Sequence, residues 1–186
     1  MRPNFFTFEL YQIETMNQTP QTTPSYHQHY IDLVKTDNIL QELIEQGEEF
    51  VNYLSRFSEQ QGNYAYAKGK WTIKEIAGHL ADAERVFAYR ALRFVRNDKT
   101  ALPGFEQDDY VAAANFNKRT LADVIEELRL IRASNLALFK TFSDEELERT
   151  GTASNNSYTV KALLYVIAGH EKHHFNVLKE KYAQAV

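Results

Sequence analysis

Residues 160–182 read VKALLYVIAGHEKHHFNVLKEKY. At about 100° of rotation per residue, His170, Leu163, His174, Ile167 and Leu178 fall within one arc about 80° wide, and His173 lies about 60° off its other side. An apolar stripe sustained over about six turns is an amphipathic helix with that stripe against a core. Two of its histidines, His170 and His174, are therefore set where apolar residues would be expected.

The same period recurs upstream. Ile39, Leu40, Leu43, Ile44, Phe50, Val51 and Leu54 predict a helix over residues 37–57, with Gly47 an internal cost to it. A second helix opens at Thr72, whose Glu75 partner three positions on makes a capping box, and carries Ile73, Ile76, Leu80, Ala83, Phe87, Ala91 and Phe94. A third runs over residues 121–142 behind Thr120, and Ser143 with Glu146 opens a short additional piece. Residues 96–117 form a long connection with one helical turn of their own near residues 110–114, and a connection of that length inside a domain is often a lid or a crossover. No segment alternates with period two. The predicted class is all-α, a four-helix bundle, in which sites are built from side chains converging from different helices.

With 186 residues, 44% of them hydrophobic and 25% charged, the chain has one domain's length. A domain of this size buries about 70% of the surface its unfolded chain exposes and needs no covalent staple. It contains no cysteine, which excludes disulfides, thiolate zinc sites, iron–sulfur clusters and cysteine nucleophiles, and fits a reducing compartment. Twenty-one Lys and Arg against 25 Asp and Glu leave a net charge of −4, so no positive field favours nucleic acid or anionic membrane. Residues 1–25, rich in Gln, Thr, Asn and Pro from Met16 on, read as a disordered or loosely attached tail, with Met16 an alternative start; residues 26–186 read as the bundle domain. Neither a signal-peptide core nor about 18 consecutive apolar residues is present, and the expected location is the cytoplasm.

His170 and His174 on an apolar face are buried polar groups that need partners. One reading is a metal ion, since imidazoles one helical turn apart can each place a nitrogen about 2.0–2.1 Å from it. The other is a histidine-rich helix end bonded to carbonyls or water. A metal needs a third ligand from elsewhere, and the sequence offers His79. Ile76-Ala77-Gly78-His79 recurs as Ile167-Ala168-Gly169-His170, after Trp71-Thr72-Ile73-Lys74 and Tyr158-Thr159-Val160-Lys161 respectively. Each histidine follows a mid-helix glycine that costs about 1 kcal/mol against alanine; a close approach of helices would account for it. His79 lies toward the edge of its own apolar stripe. Asp82 and Glu75 could orient its second ring nitrogen or belong to a solvated face.

His170-Glu171-Lys172-His173-His174 also satisfies H-E-x-x-H, the zinc-protease pattern with glutamate as general base. Only 12 residues follow His174, too few to bring a third ligand from downstream, and no strand is evident to bind an extended substrate. Glu171 then reads as an exposed, salt-bridging residue. His27 and His29, in a polar segment ahead of the first long helix, read as surface residues.

Taken in order, Tyr64 to Glu75, Gly78-His79-Leu80-Ala81-Asp82-Ala83-Glu84-Arg85, Leu102-Pro103-Gly104-Phe105 and Gly169 to His174 resemble the DinB-like superfamily, most closely its YfiT-like branch of candidate metal-dependent hydrolases. The resemblance covers nearly everything after residue 26. It implies an up-down-down-up four-helix bundle, frequently a homodimer, that binds a divalent metal such as nickel or zinc, with iron or manganese as other options. The ligands it implies are His79, His170 and His174. It also implies a small-molecule substrate, with a low-molecular-weight thiol as cosubstrate in S-transferases and water as nucleophile in hydrolases; a non-catalytic, stress-related metal- or ligand-binding module is the alternative. Glu84 stands where the YfiT-like branch tends to carry a further histidine. No residue is singled out as catalytic beyond the metal ligands.

Overall fold

Five of the described α-helices begin where a short polar side chain accepts a free backbone N–H. The structure, a computed structural model, describes residues 25–185. After α1 (Ser25–Asp32), helix α2 (Ile39–Leu54) starts behind Asn38, whose side chain accepts from the Gln41 amide. Helix α3 (Ile73–Val95) opens with the full capping box of Thr72 and Glu75. Helix α4 (Gln107–Ala114) lies in the middle connection; α5 (Leu121–Phe139) is capped by Thr120, α6 (Asp144–Leu147) by a second capping box, Ser143 with Glu146, and α7 (Val160–Lys181) by Thr159.

Four long helices, α2, α3, α5 and α7, make the bundle. Helix α3 packs on α5 and α7, and α2 packs on α5 and α7, so α2 lies diagonal to α3 and α5 diagonal to α7, while α3 and α5 are consecutive neighbours. Contacts fix their directions. Glu42 pairs with Lys172 and Glu49 with Lys179, so α2 and α7 run parallel. Glu84 meets Asn135 while Thr72 bonds Asn117 ahead of α5, so α3 and α5 run parallel to each other. His79 stands against His174, and Phe87, farther along α3, against His170, so α3 opposes α7. The order is up-down-down-up. Helix α7 is buried without interruption from Val160 to Glu171, because it is covered by α1 as well as by α2 and α3.

Arg132 of α5, only 3% exposed, ties all four helices together. Its Nε and Nη2 donate to the two carboxylate oxygens of Glu84 on α3, both at 2.9 Å. Nη2 also donates to Glu171 of α7 at 3.0 Å, and Nη1 to the Leu43 carbonyl of α2 at 2.7 Å. Gln46 of α2 completes the shell, donating to Glu171 at 2.7 Å and to the Ala168 carbonyl at 2.9 Å. Glu171, expected on the surface, is instead buried within this group. Its face is solvent-free because α2 packs over it and the Arg132 side chain reaches it from α5, which the periodicity of α7 alone does not disclose.

Further departures are local. Residues 150–159 form an antiparallel hairpin of β1 (Thr150–Ala153) and β2 (Asn156–Thr159), with Thr150 opposite Thr159. Ser154 and Asn155, at φ of 51° and 61°, make the left-handed two-residue turn that matches strand twist. Strands of four residues are too short to show a period of two. Helix α4 begins three residues earlier than the sequence suggested, at Gln107, and α5 ends at Phe139 rather than at 142. The segment holding His27 and His29 is helix α1. The expectation of a loose tail concerns residues that lie outside the described ones, save Ser25, which begins α1. Among the described residues no helix is long and apolar enough to cross a membrane.

The mid-helix glycine of α7 has the reason its sequence context suggested. A Cβ at Gly169 would run into the backbone carbonyl of Tyr30, so α1 rests directly on α7 there. Gly169→Ala is expected to lower stability despite alanine's higher helix propensity, since backbone cannot yield as a flexible side chain can; hydrogen exchange of α1 amides should rise before that of α7. Arg132→Met leaves Glu84 and Glu171 buried without their cation, and urea unfolding should show a loss of about 3–5 kcal/mol.

Candidate metal centre

Helix α3 presents His79 toward α7, and α7 presents His170 and, one turn on, His174. The three rings meet. His79 Nε2 stands 3.1 Å from His170 Nε2, and one ring nitrogen from each of the three lies within 4.8 Å of the others. Ring centroids are 4.9 Å apart for His79 and His170, 5.0 Å for His79 and His174, and 4.7 Å for His170 and His174. The two Ile-Ala-Gly-His repeats therefore put their histidines opposite each other, on antiparallel helices. His79 is 2% exposed and His170 6%, so the position of His79 near the edge of its stripe did not keep it at the surface. The pairing of α3 with α7 covers that edge.

Burial governs the protonation of all three. His79 is held down at about 4 by desolvation, and His174 at about 3 by desolvation and then by the neighbouring His79 and His173. His170 is lowered well below the usual imidazole range, by burial first and the other histidines next. At neutral pH these are three neutral imidazoles, each with a nitrogen lone pair to offer. Trp71 packs over the group, its ring 4.7 Å from His79 and 6.3 Å from His174, and Phe87 stands 5.9 Å from His170.

Of the two roles the sequence left open for the neighbouring acids, orienting the His79 ring is not the one they take. Glu75 is occupied by the helix cap and by the Asn117 side-chain amide, and Asp82 faces Arg85; among the described residues, the hydrogen bond of the His79 ring is to His170. Glu84 and Glu171 border, with His170, a gap of about 10 Å³. His173 is half-buried on the flank, against Tyr30 and His29. His27 is not a surface residue. It is buried, shares a 2.7 Å hydrogen bond with the Tyr158 hydroxyl, and is held at about 4 by desolvation, with Arg90 and His29 adding to it. Its burial comes from the packing of α1 on α7, which leaves no mark in an eight-residue polar segment.

Beside the three histidines lies a cavity of about 330 Å³, walled by His79 and His170, by Phe87 and Arg90 of α3, and by Phe105 and Ser154 from the connecting segments. The long connection over residues 96–117 thus forms a wall, and the hairpin docks on it, Leu102 bridging to Ala153. A larger groove of about 530 Å³ around Arg85, Arg119 and Glu127 contains none of the histidines; its charged groups pair with one another. Arg90 and Arg132, the two buried cations of this region, went unnoticed in the sequence. Their only trace was position: Arg90 lies eleven residues, close to three turns, from His79 and so on the same face.

The profile of the DinB superfamily matches residues 42–178. A candidate metal-dependent hydrolase of Oceanobacillus iheyensis is 23% identical over 146 residues, which cover 75% of this chain and 83% of that protein. One of Geobacillus kaustophilus is 26% identical over 125 residues, 65% of this chain and 69% of that one. Among solved structures, YfiT of Bacillus subtilis, described as a probable metal-dependent hydrolase with an unusual four-helix bundle topology, superposes with a TM-score of 0.68 at 16% identity, covering 90% of this chain and 93% of its own. A mycothiol-dependent maleylpyruvate isomerase superposes with a TM-score of 0.63 at 9% identity, over 77% of this chain and 60% of that one.

The neutral imidazoles carry a pH signature. An imidazole ordinarily titrates near 6.5, the reference against which His79 is lowered to about 4, so between those values the unfolded chain binds more protons than the folded one. Stability of chelator-treated protein should therefore be fully present above pH 6.5 and fall as pH drops toward 4, as measured by urea unfolding at a series of pH values.

Proposed function

Because the chain belongs to the DinB superfamily and gathers two buried imidazoles and a half-buried third beside a cavity, we propose that it is a metal-dependent enzyme acting on a small molecule, with His79, His170 and His174 as the metal ligands. The observation that carries this reading is the convergence of the three ring nitrogens within 4.8 Å. Nitrogens about 2.0–2.1 Å from a common ion in tetrahedral arrangement stand about 3.4 Å apart, close to the 3.1 Å between His79 and His170. Donor chemistry agrees, since neutral imidazole is the form that ligates. Imidazole suits several divalent ions; nickel and zinc lead, with iron and manganese as the other options.

Three protein ligands and an adjoining cavity of about 330 Å³ leave room for substrate at the ion, as catalytic sites do and closed structural sites do not. This favours an enzyme over a non-catalytic binding module. When bound, the ion supplies Lewis acidity and makes a water or a thiol at its open position acidic enough to act as a nucleophile near neutral pH. The chain does the rest. Burial keeps the three rings unprotonated, Trp71 and Phe87 pack around them, and the ties of Arg132 to Glu84 and Glu171 hold α3 and α7 at the spacing their histidines require. With no cysteine in the chain, a thiol nucleophile comes from a separate cosubstrate. Hydrolysis has the support of the relatives' names, and thiol transfer that of a neighbour's dependence on mycothiol.

Protein purified without a histidine tag and reconstituted with nickel, zinc, iron or manganese should carry about one ion per chain by elemental analysis. His79→Ala and His174→Ala should each lose it, with a matching loss of the chelator-sensitive part of thermal stability. Absence of stoichiometric metal from reconstituted wild type would overturn the proposal.

A further inference from the structure

Arg90 is 3% exposed, yet among the described residues no carboxylate pairs with it. Nη2 donates to the Pro103 carbonyl at 3.1 Å and to the Ser154 hydroxyl at 3.0 Å, both neutral acceptors. The guanidinium lies 5.7 Å from the Phe87 ring. An arginine carries five N–H donors, so those on Nε and Nη1 remain for another partner, and the group forms part of the cavity wall shared with His79 and His170. Desolvation lowers the pKa of Arg90, with only the Tyr158 hydroxyl opposing, whereas Arg132 in the same bundle sits between two carboxylates. A buried cation is costly unless an anion meets it.

The placement follows from α3 itself. His79, Ala83, Phe87 and Arg90 recur at spacings of four, four and three and share one face of the helix; all four line the cavity. Phe87 stands between the two ends, 5.9 Å from the His170 ring on one side and under the guanidinium on the other. A ligand lying along this face would meet the histidines at one end, an aromatic wall at its middle and a cation at the far end. Glu106 and Asp108 also border the cavity but are exposed, so water screens them far more than it screens Arg90.

We infer that Arg90, with Ser154 beside it, is the anion subsite of this cavity, and that the substrate is a small carboxylate with an apolar or aromatic body whose other end reaches the three histidines. This rests on the metal-dependent reading of the site for its second half. A carboxylate matches the single charge of the guanidinium end, where a dianionic phosphate ester would face one cation and two nearby acids. The rival role for Arg90 is a purely structural tie between α3, the Pro103 segment and the hairpin.

Benzoate and its neutral analogue benzamide, which share size and ring, separate the two roles by titration calorimetry. Nickel-loaded wild type should bind benzoate about tenfold or more tightly than benzamide, the factor a charge-assisted hydrogen bond supplies. Arg90→Met, which keeps the stem over Phe87, should abolish the preference while retaining metal, and Arg90→Lys should keep part of it. Equal affinity for the two probes, no benzoate binding by wild type, or a preference that survives in Arg90→Met would overturn the inference. On chelated wild type the comparison needs neither the variant nor an ion that benzoate could ligate, so it stands even where Arg90→Met does not fold. Repeating it on chelated protein isolates the subsite from the ion: an Arg90-dependent preference without stoichiometric metal sinks the metal reading and leaves the subsite, and stoichiometric metal without the preference does the reverse.

Discussion

A single guanidinium at the centre of the bundle constrains every other part of this structure. Arg132 reaches α2, α3 and α7 from α5, and its partners Glu84 and Glu171 cannot be buried without it. The exchange is not cheap: burying one cation and two carboxylates forfeits hydration that apolar side chains would not have had to lose. What it gives is position. An apolar core tolerates sliding of one helix on another, whereas a bidentate carboxylate contact on α3 and a second carboxylate on α7 admit one register. His170 directly precedes Glu171, and His79 lies five residues before Glu84, so that register is also the register of the histidines.

Around that constraint the site divides by charge. Cation and carboxylates satisfy one another in the bundle centre, and the three imidazoles next to them are kept neutral by burial. On the far side of Phe87 a second buried guanidinium, Arg90, has only neutral acceptors. Of two arginines in one bundle, one is compensated by carboxylates, and the other, with neutral acceptors alone, forms part of the cavity wall. The connecting segments complete that wall. Pro103 and Ser154, from parts of the chain with little regular structure, approach the same guanidinium because the hairpin turn and the Leu102–Ala153 bridge fasten them together.

Much of the histidine cluster was legible in the sequence. His170 and His174 stood out because polar side chains interrupted an apolar stripe, and His79 because a four-residue repeat copied the context of His170. The helix starts at Thr72, Thr120, Ser143 and Thr159 were legible for a local reason, since a cap is formed by residues three apart. Glu171 and His27 were misread as exposed, and for a common reason. Periodicity within one helix reports which face is apolar; it does not report how many neighbours cover the rest. Helix α1 covers α7 beside Gly169 and buries His27, and α2 together with the Arg132 side chain covers Glu171.

The sequence by itself determined the class of the fold, the helices that carry the site and the residue types that can ligate in it. Those are consequences of short-range rules, hydrophobic period, capping and the absence of cysteine, which act within a few residues of chain. Only the tertiary structure decided that Arg132 joins Glu84 to Glu171 over sequence separations of 48 and 39, that His79 and His170 face each other across a separation of 91, and that Arg90 is left without a counter-charge among the described residues. Whether a charge is paired or a face is covered depends on what the rest of the chain brings to it, and that is settled by packing rather than by local pattern.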